Sequence, residues 1–196
     1  MTTQLGNGLT AAERHEDALS VREAELDMRR RVGASEDVML GMQGNLAITY
    51  ESLGRSEQAL QLKRDVYRGR LKLNGEEHEM TLRAANNYAN SLGNLERFEE
   101  AKALLRKLIP VAQRVLGAGH DHTLRMSWNY ARALYRDPAA TLADLREAVR
   151  TLEETERTAR RVFGGAHPTT GVIKGSLHRA RAALSTRETP PTSNNA

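Results

Sequence analysis

One pattern recurs every 42 residues in this chain, as Asn45-Leu46-Ala47, Asn87-Tyr88-Ala89 and Asn129-Tyr130-Ala131. Repeats with a period of about 20 to 50 residues are typical of proteins built from stacked copies of one small unit. A single unit of this size cannot bury its own apolar face, so neighbouring units must share a core. The spacing therefore predicts a repeat architecture over most of the 196 residues.

A second motif, Gly-x-x-His-x-x-Thr, marks the junctions between units. It occupies 75–81 and 117–123 and returns 47 residues later at 164–170. The five additional residues lie between Tyr135 and Leu145, around Asp137-Pro138. Because Asp and Pro favour turns, the insertion is predicted to lie in a turn and to leave the stack of units intact.

Apolar residues within each unit recur every three or four positions, as in Leu104, Leu108, Val111 and Val115. This spacing places them on one face of a helix, and no stretch alternates with the period of two typical of a strand. The pattern and the intervening turn residues predict helices at 11–32, 36–53, 56–73, 79–94, 97–116, 121–136, 141–163 and 169–185.

Helix ends carry their own signals. Glycines that follow a basic last turn are predicted to cap the carboxyl ends, at Gly33, Gly75, Gly117 and Gly164-Gly165. Asp137 before Pro138 is predicted to cap the start of a helix. Pro110 lies inside a predicted helix, where it removes the bond to the Arg106 carbonyl, so we expect a kink or an early break there.

Small residues mark the close crossings between helices. Alanine recurs at one position of the first helices and at one position of the second helices, as Ala47, Ala89, Ala131, Ala59, Ala101 and Ala148. A larger side chain there would force the helices apart at a cost of about 1 to 3 kcal/mol.

These features resemble the tetratricopeptide repeat in its 42-residue form, found in kinesin light chains and in the sensor arrays of many NTPase-type receptors. The resemblance covers about 11–185 and is carried by the Asn-x-Ala pattern, the junctions LGAGHDHTL (116–124) and FGGAHPTT (163–170), and the helix starts Glu100-Ala101 and Glu147-Ala148. Glu36 and Ser176 stand where the pattern has His and Asn. The resemblance implies an all-α superhelix of about three and a half to four helix-turn-helix repeats, whose first helices line a concave groove.

Composition excludes several classes of protein. The chain has no cysteine, so it has no disulfide framework, no thiolate nucleophile and no cysteine zinc site. No stretch approaches the run of about 20 apolar residues that a bilayer span needs, and Met1–Thr10 lacks a signal-peptide pattern. We expect a cytoplasmic protein without membrane partners. The flexible amino end is predicted at 1–10, the repeat domain at 11–185 and a disordered tail at 186–196.

The repeat register also selects candidate binding residues. The first-helix positions that would face the groove include Asn45, Arg83, Asn86, Asn87, Asn90, Arg125, Trp128, Asn129, Arg132 and Arg136. An Asn carboxamide both donates and accepts, so Asn45, Asn87 and Asn129 could pair with the backbone of an extended peptide. The resemblance implies such a ladder, whereas spacing alone shows only that the three share a face. The alternative is that each Asn bonds a neighbouring helix or loop.

Arginine and tryptophan suggest the chemistry of the partner. Arg83, Arg125 and Arg132 could form charge-assisted bonds with acidic side chains or a terminal carboxylate, which favours an acidic partner, or they could simply solvate helix faces. Trp128 could stack on a ligand or fill the gap between units.

Histidine and enzyme motifs point away from catalysis. His78, His120 and His167 recur in register, so we expect each ring to satisfy backbone groups of its junction and not to bind metal. The sequence around 165–174 lacks the order of a phosphate loop, and no hydrolase or zinc-protease motif is present. We expect a non-enzymatic protein without a cofactor.

Three functional hypotheses follow. The first is a peptide-binding or partner-binding scaffold similar to the cargo-binding repeats of kinesin light chains. The second is a fragment of a larger receptor or scaffold with more repeats. The third is an RNA-binding helical repeat, permitted by a net charge of 29 − 25 = +4 but not favoured, because acidic residues are interspersed with the basic ones.

Overall fold

The structure is a computed structural model that describes residues 15–189. Eight helices and no strand occur in that range, which confirms the all-α repeat fold. They are α1 (His15–Arg31), α2 (Glu36–Ser52), α3 (Ser56–Asn74), α4 (Glu79–Asn94), α5 (Phe98–Val115), α6 (Asp121–Arg136), α7 (Leu142–Phe163) and α8 (Pro168–Glu188). Within the units, α2 packs against α3, and α6 packs against α7.

Each predicted helix is present, with small differences at the ends. The last helix continues to Glu188, so 186–188 are helical, whereas the sequence predicts that the tail begins at 186. The predicted amino-terminal segment 1–10 and the tail beyond 189 lie outside the described residues.

The chain divides into two compact units, Met1–Ser91 and Leu92–Ala196, called unit 1 and unit 2 below. Unit 1 contains α1 to α3 and most of α4. Unit 2 contains the last turn of α4 and the helices α5 to α8. The six alanines predicted at close crossings are all buried.

The junction histidines begin the first helices of three repeats. The ring Nδ1 of His78, His120 and His167 accepts a hydrogen bond from the backbone N–H two residues later, at 3.1, 3.3 and 3.2 Å. Each ring thereby satisfies one of the N–H groups that a helix leaves without an internal partner. The predicted structural role of these histidines is confirmed.

The junction threonines tie each helix start to the residues before it. Thr81 and Thr123 donate to the carbonyls of Arg70 and Ala112, in the preceding helices, at 3.1 and 3.4 Å. Thr170 donates to the carbonyl of Gly164 at 3.0 Å. The hydroxyls are buried, so these bonds satisfy groups that water does not reach. The spacing of His and Thr therefore suits a junction in which the His bonds the start of the helix and the Thr bonds a carbonyl that precedes it.

Glycine is required where the second helices end. Gly75 and Gly164 are the C-cap residues of α3 and α7, with φ of +81° and +87°. A side chain is strained in that conformation, so a Gly at this position ends the helix at low cost. Gly33 and Gly117 also have positive φ, as the cap prediction requires.

One prediction about proline is corrected, and one of two alternatives is excluded for another. Asp137 does not begin a helix, because Thr141 caps α7 through a capping box with Asp144. Asp137 ends α6 and its side chain accepts from the Ala139 N–H at 2.8 Å, which forms a turn. Pro110 does not end α5 early, because the helix continues to Val115. The alternative outcome, a kink at Pro110, stays a prediction. Pro110 is exposed on this helix. Leu108 and Ala112 are buried, and their packing holds α5 against the core.

Candidate functional site

Unit 1 has a cleft of about 260 Å³ between the first helices α2 and α4. Gly41 and Gly44 lie on the α2 side, and apart from the adjacent backbone of α2 and its chain neighbours, no atom lies within 4 Å of where a Cβ of Gly44 would be. A glycine inside a helix costs about 1 kcal/mol relative to alanine, and here it leaves room next to the backbone. Asn45 and Asn87 also line the cleft, so carboxamides flank the open space.

Arg70 forms part of the wall of this cleft from the second helix α3. It is buried, and its guanidinium bonds the Asp37 carboxylate and, at 3.0 Å, the Asp37 carbonyl. The ion pair holds the side chain in place, since a buried cation is costly without a partner. Arg83 is exposed at the edge of the same cleft.

Unit 2 has a cleft of about 210 Å³ between the first helices α6 and α8. Its lining is mostly apolar and includes Trp128, Val172 and Ile173. The indole N–H of Trp128 donates to the Ser176 hydroxyl at 2.8 Å, so the half-buried ring needs no further donor contact. Arg125 lies at the cleft and bonds Asp121 at 2.6 Å, which offsets part of its charge.

A group of three arginines lies beside this cleft and is called the arginine cluster (Arg132, Arg136 and Arg179). The Cζ of Arg132 lies 5.1 Å from the centre of the Trp128 ring. Burial lowers the pKa of Arg132, and the positive charges of Arg136 and Arg179 lower it further. The cluster is therefore a region of concentrated positive charge next to an apolar cleft.

The predicted asparagine ladder is not uniform. Asn87 is exposed and Asn45 is half-buried, whereas only 5% of Asn129 is exposed. Asn86 is buried at 6%, and Asn90 is half-buried. Register equivalence therefore does not give equal access: a partner could reach Asn87 directly, but it could not reach Asn86 or Asn129 without local movement.

The remaining histidine cluster has no metal-site geometry. The His120 and His122 rings pack 5.3 Å apart, and Nδ1 of His122 lies 4.0 Å from Asp121. Within residues 15–189, no group of three or more His, Asp or Glu side chains could hold a metal ion. In the same range, no helix is both long enough and apolar enough to cross a bilayer.

Sequence reasoning missed two structural features of unit 2. Arg179 lies 47 residues after Arg132, the same step as the junction motif, so the register could have identified it. A third cleft, of about 320 Å³, lies between α5 and α7 of unit 2. There Arg106 donates to the Tyr130 hydroxyl at 3.1 Å, and that hydroxyl donates to Glu147 at 2.6 Å. No sequence motif indicates that network.

Comparisons with known proteins agree with the repeat. Two family profiles described as tetratricopeptide repeat match 40–79 and 80–137, together half of the chain. No curated protein matches the chain.

Several solved structures are similar to this chain, and three of them match over 95% of it. One is a Podosopora anserina protein described as a kinesin light chain with nearly identical TPR-like repeats (TM-score 0.77, 22% identity, 87% of that chain). The others are a form of the same protein with a single substitution (0.79, 22%, 86%) and BtubC (BKLC) from P. vanneervenii (0.72, 16%, 77%). At these identities the likeness concerns the fold.

Proposed function

Because the chain belongs to the tetratricopeptide repeat family, with repeats of the 42-residue, kinesin-light-chain-like type, we propose that it binds a peptide segment of a partner protein on its first helices. Repeats of this family generally mediate protein-protein interactions. The proposed role is that of a non-enzymatic scaffold.

The observation that carries the proposal is the unit 2 cleft at Trp128. The Trp128 ring is half-buried, and its N–H is already bonded. The ring borders a mostly apolar space of about 210 Å³. Partly exposed tryptophans in apolar pockets are frequent anchors of binding energy in protein interfaces. The cleft suits one apolar or aromatic side chain of a partner.

The unit 1 cleft supports binding of a backbone. Gly41 and Gly44 let another chain approach α2 closely, and the exposed carboxamide of Asn87 can donate to and accept from a peptide unit. The contacts proposed for this unit are Asn45, Arg83, Asn87 and Asn90. Those proposed for unit 2 are Arg125, Trp128, Arg132 and Arg136.

Charge supports an acidic partner. Arg83, Arg125 and Arg136 are exposed first-helix cations, and such cations steer acidic segments to a surface and bond them. The effect is sensitive to salt because exposed charges are screened over about 10 Å at 0.1 M ionic strength.

A peptide-binding measurement tests the proposal. Acidic and neutral peptide libraries are titrated against the protein and against Asn87→Ala and Arg83→Gln variants. Both variants should weaken binding several-fold, whereas Arg68→Gln, which removes an exposed arginine from the second helix α3, should not. Loss of binding in all three variants, or binding of single-stranded RNA in place of peptides, would reject it.

A further inference from the structure

We propose that the arginine cluster of unit 2 binds a phosphate group carried by a partner polypeptide, that is, a phosphorylated Ser, Thr or Tyr side chain. The inference rests on the proposed function and specifies the chemistry of one part of the site.

Uncharged groups contact Arg136 and Arg179. Nη1 of Arg136 donates to the Gly93 carbonyl at 3.4 Å. Nη2 of Arg179 donates to the Ser176 hydroxyl at 3.1 Å, and its Nε donates to the Tyr135 hydroxyl at 3.4 Å. Carbonyl and hydroxyl oxygens fix the orientation of a guanidinium but leave its charge in place. Arg136 and Arg179 are also exposed, so a ligand can reach them.

The contacts of the cluster connect its members in space. Arg132 donates to the Asn94 carboxamide at 2.7 Å, and the neighbouring Gly93 accepts from Arg136. On the other side, the Ser176 hydroxyl accepts from both Arg179 and Trp128, whose ring lies under Arg132. The lowered pKa of Arg132 agrees with this closeness, because burial and two neighbouring cations all disfavour its charge.

Charge and geometry favour a phosphate over a carboxylate. A phosphorylated side chain carries a charge of about −1.5 to −2 at pH 7 and has three strong acceptor oxygens. A carboxylate has one charge and two oxygens. A planar guanidinium fork matches a phosphate as well as a carboxylate, so the preference comes from the larger charge and the third oxygen of the phosphate. A dianion bound by the exposed Arg136 and Arg179 would also relieve the repulsion that these two charges exert on Arg132.

The neighbouring cleft predicts the residue beside the phosphate. Trp128 belongs to both features, since Arg132 lies over its ring and the ring lines the apolar cleft with Val172 and Ile173. A phosphorylated segment on the cluster would therefore place a nearby side chain at the cleft. We expect an apolar residue close to the phosphorylated one.

The test compares matched peptides. Short degenerate libraries with a fixed central phosphoserine, serine or aspartate are titrated at constant ionic strength, with inorganic phosphate as a separate probe. Binding is measured by calorimetry and by the emission of Trp128, which is the only tryptophan in the chain. The phosphoserine library should bind at least about tenfold more tightly than the aspartate library. Its affinity should also fall as pH drops through about 6, where phosphate loses its second charge.

Variants locate the effect. Arg179→Gln should remove most of the phosphate-dependent gain, and because Arg179 is exposed on the last helix the variant should fold normally, which circular dichroism checks. The matched control is Arg181→Gln on the same helix, whose partner is Glu153 at 2.6 Å. It should keep the gain.

Several results would overturn the inference. Equal affinity for phosphoserine and aspartate would make the cluster a general carboxylate site. Equal affinity for inorganic phosphate would make it a free-phosphate site, and tighter, sequence-independent binding of single-stranded RNA would make it a nucleic-acid site. If unmodified peptides bind and phosphorylation adds nothing, this inference fails while the proposed function stands. If no peptide binds, both fail.

Discussion

Units 1 and 2 have the same helical repeat but different interiors. In unit 1, Nζ of Lys63 lies 2.9 Å from the Ser91 hydroxyl and 2.6 Å from the Glu51 carboxylate. In unit 2 the register equivalents of Lys63 are Leu105 and Leu152, both fully buried.

At two further positions, unit 1 likewise has a polar residue where unit 2 has an apolar one. Ser91 corresponds to Ala133 and Ala180, and the buried Arg70 corresponds to Ala112 and Ala159, all four of them buried alanines. The comparison teaches that the repeat specifies where side chains point but tolerates either a bonded polar network or an aliphatic core at those points. Apolar packing stabilises without orientation, whereas a polar network stabilises only when every member is bonded.

The largest expected effect is a cavity in the aliphatic interior of unit 2. Leu105→Ala should lower the free energy of unfolding by about 2 to 5 kcal/mol, because it removes buried methyl groups and leaves a space. Urea unfolding followed by Trp128 emission reports on unit 2, which contains that residue. The exposed Leu142→Ala is the control and should cost little. Similar losses in both variants would contradict an interior that depends on packing at Leu105.

Acid should weaken a polar contact at the inserted turn of unit 2. A bond from Lys102, at 2.8 Å, holds the pKa of Asp137 below its ordinary value. A carboxyl group with a lowered pKa in the folded state contributes stability above its unfolded pKa, and this is lost as pH falls through the folded one. Asp137→Asn should cost about 1 to 2 kcal/mol at pH 7 and progressively less below about pH 4.

Unfolding of the Asp137→Asn variant and the parent at several pH values measures that difference. Asp37 of unit 1 differs from Asp137 in its burial, since it also bonds a buried cation, Arg70, but is itself exposed. A constant difference between variant and parent from neutral pH to strong acid would mean that ionisation of Asp137 does not contribute.

The N-caps of the two units should contribute similarly to stability, although one is a histidine and the other a serine. His120→Ala in unit 2 and Ser35→Ala in unit 1 each remove an N-cap acceptor and should cost about 1 kcal/mol. His120→Asn should recover most of the loss, because Asn also accepts from the helix N–H groups. Thermal unfolding by circular dichroism checks this. No recovery with Asn would show that the imidazole contributes through packing.

The smallest expected effect on stability comes from substitutions that give unit 1 the residues of unit 2. The double variant Lys63→Leu with Ser91→Ala replaces a bonded pair by the residues that unit 2 has there, so stability should change by less than about 1 kcal/mol. Glu51 stays partly exposed and can be hydrated. The single variant Glu51→Ala should cost more, because it leaves the buried Lys63 with only Ser91. If the double variant cost as much as Leu105→Ala, the two interiors would not be interchangeable.

Much of the local structure was predictable because its signals are local. The helices follow from apolar spacing, and the junctions follow from Gly, His and Thr at fixed positions. Predictions failed where local chemistry had two outcomes. Asp137-Pro138 can begin a helix or form a turn, and Thr141 with Asp144 captured the helix start. Pro110 ends many helices, but burial of Leu108 and Ala112 maintains α5.

The sequence predicts which positions lie on the first helices, but it does not predict which of their side chains are exposed. Register placed Asn87 and Asn129 on one face, yet one is exposed and the other buried. Trp128 allowed two interpretations, and it both bonds Ser176 and borders a cleft.

The sequence by itself determined the repeat length, the helix order, the junction chemistry and the positions of the first-helix side chains, because each depends on residues close together in the chain. Only the tertiary structure decided which of those side chains reach solvent, where Gly41 and Gly44 leave a cleft, and that the charges of Arg136 and Arg179 act on Arg132. Exposure and clustering depend on the packing of helices far apart in sequence, and a spacing rule contains no information on that packing.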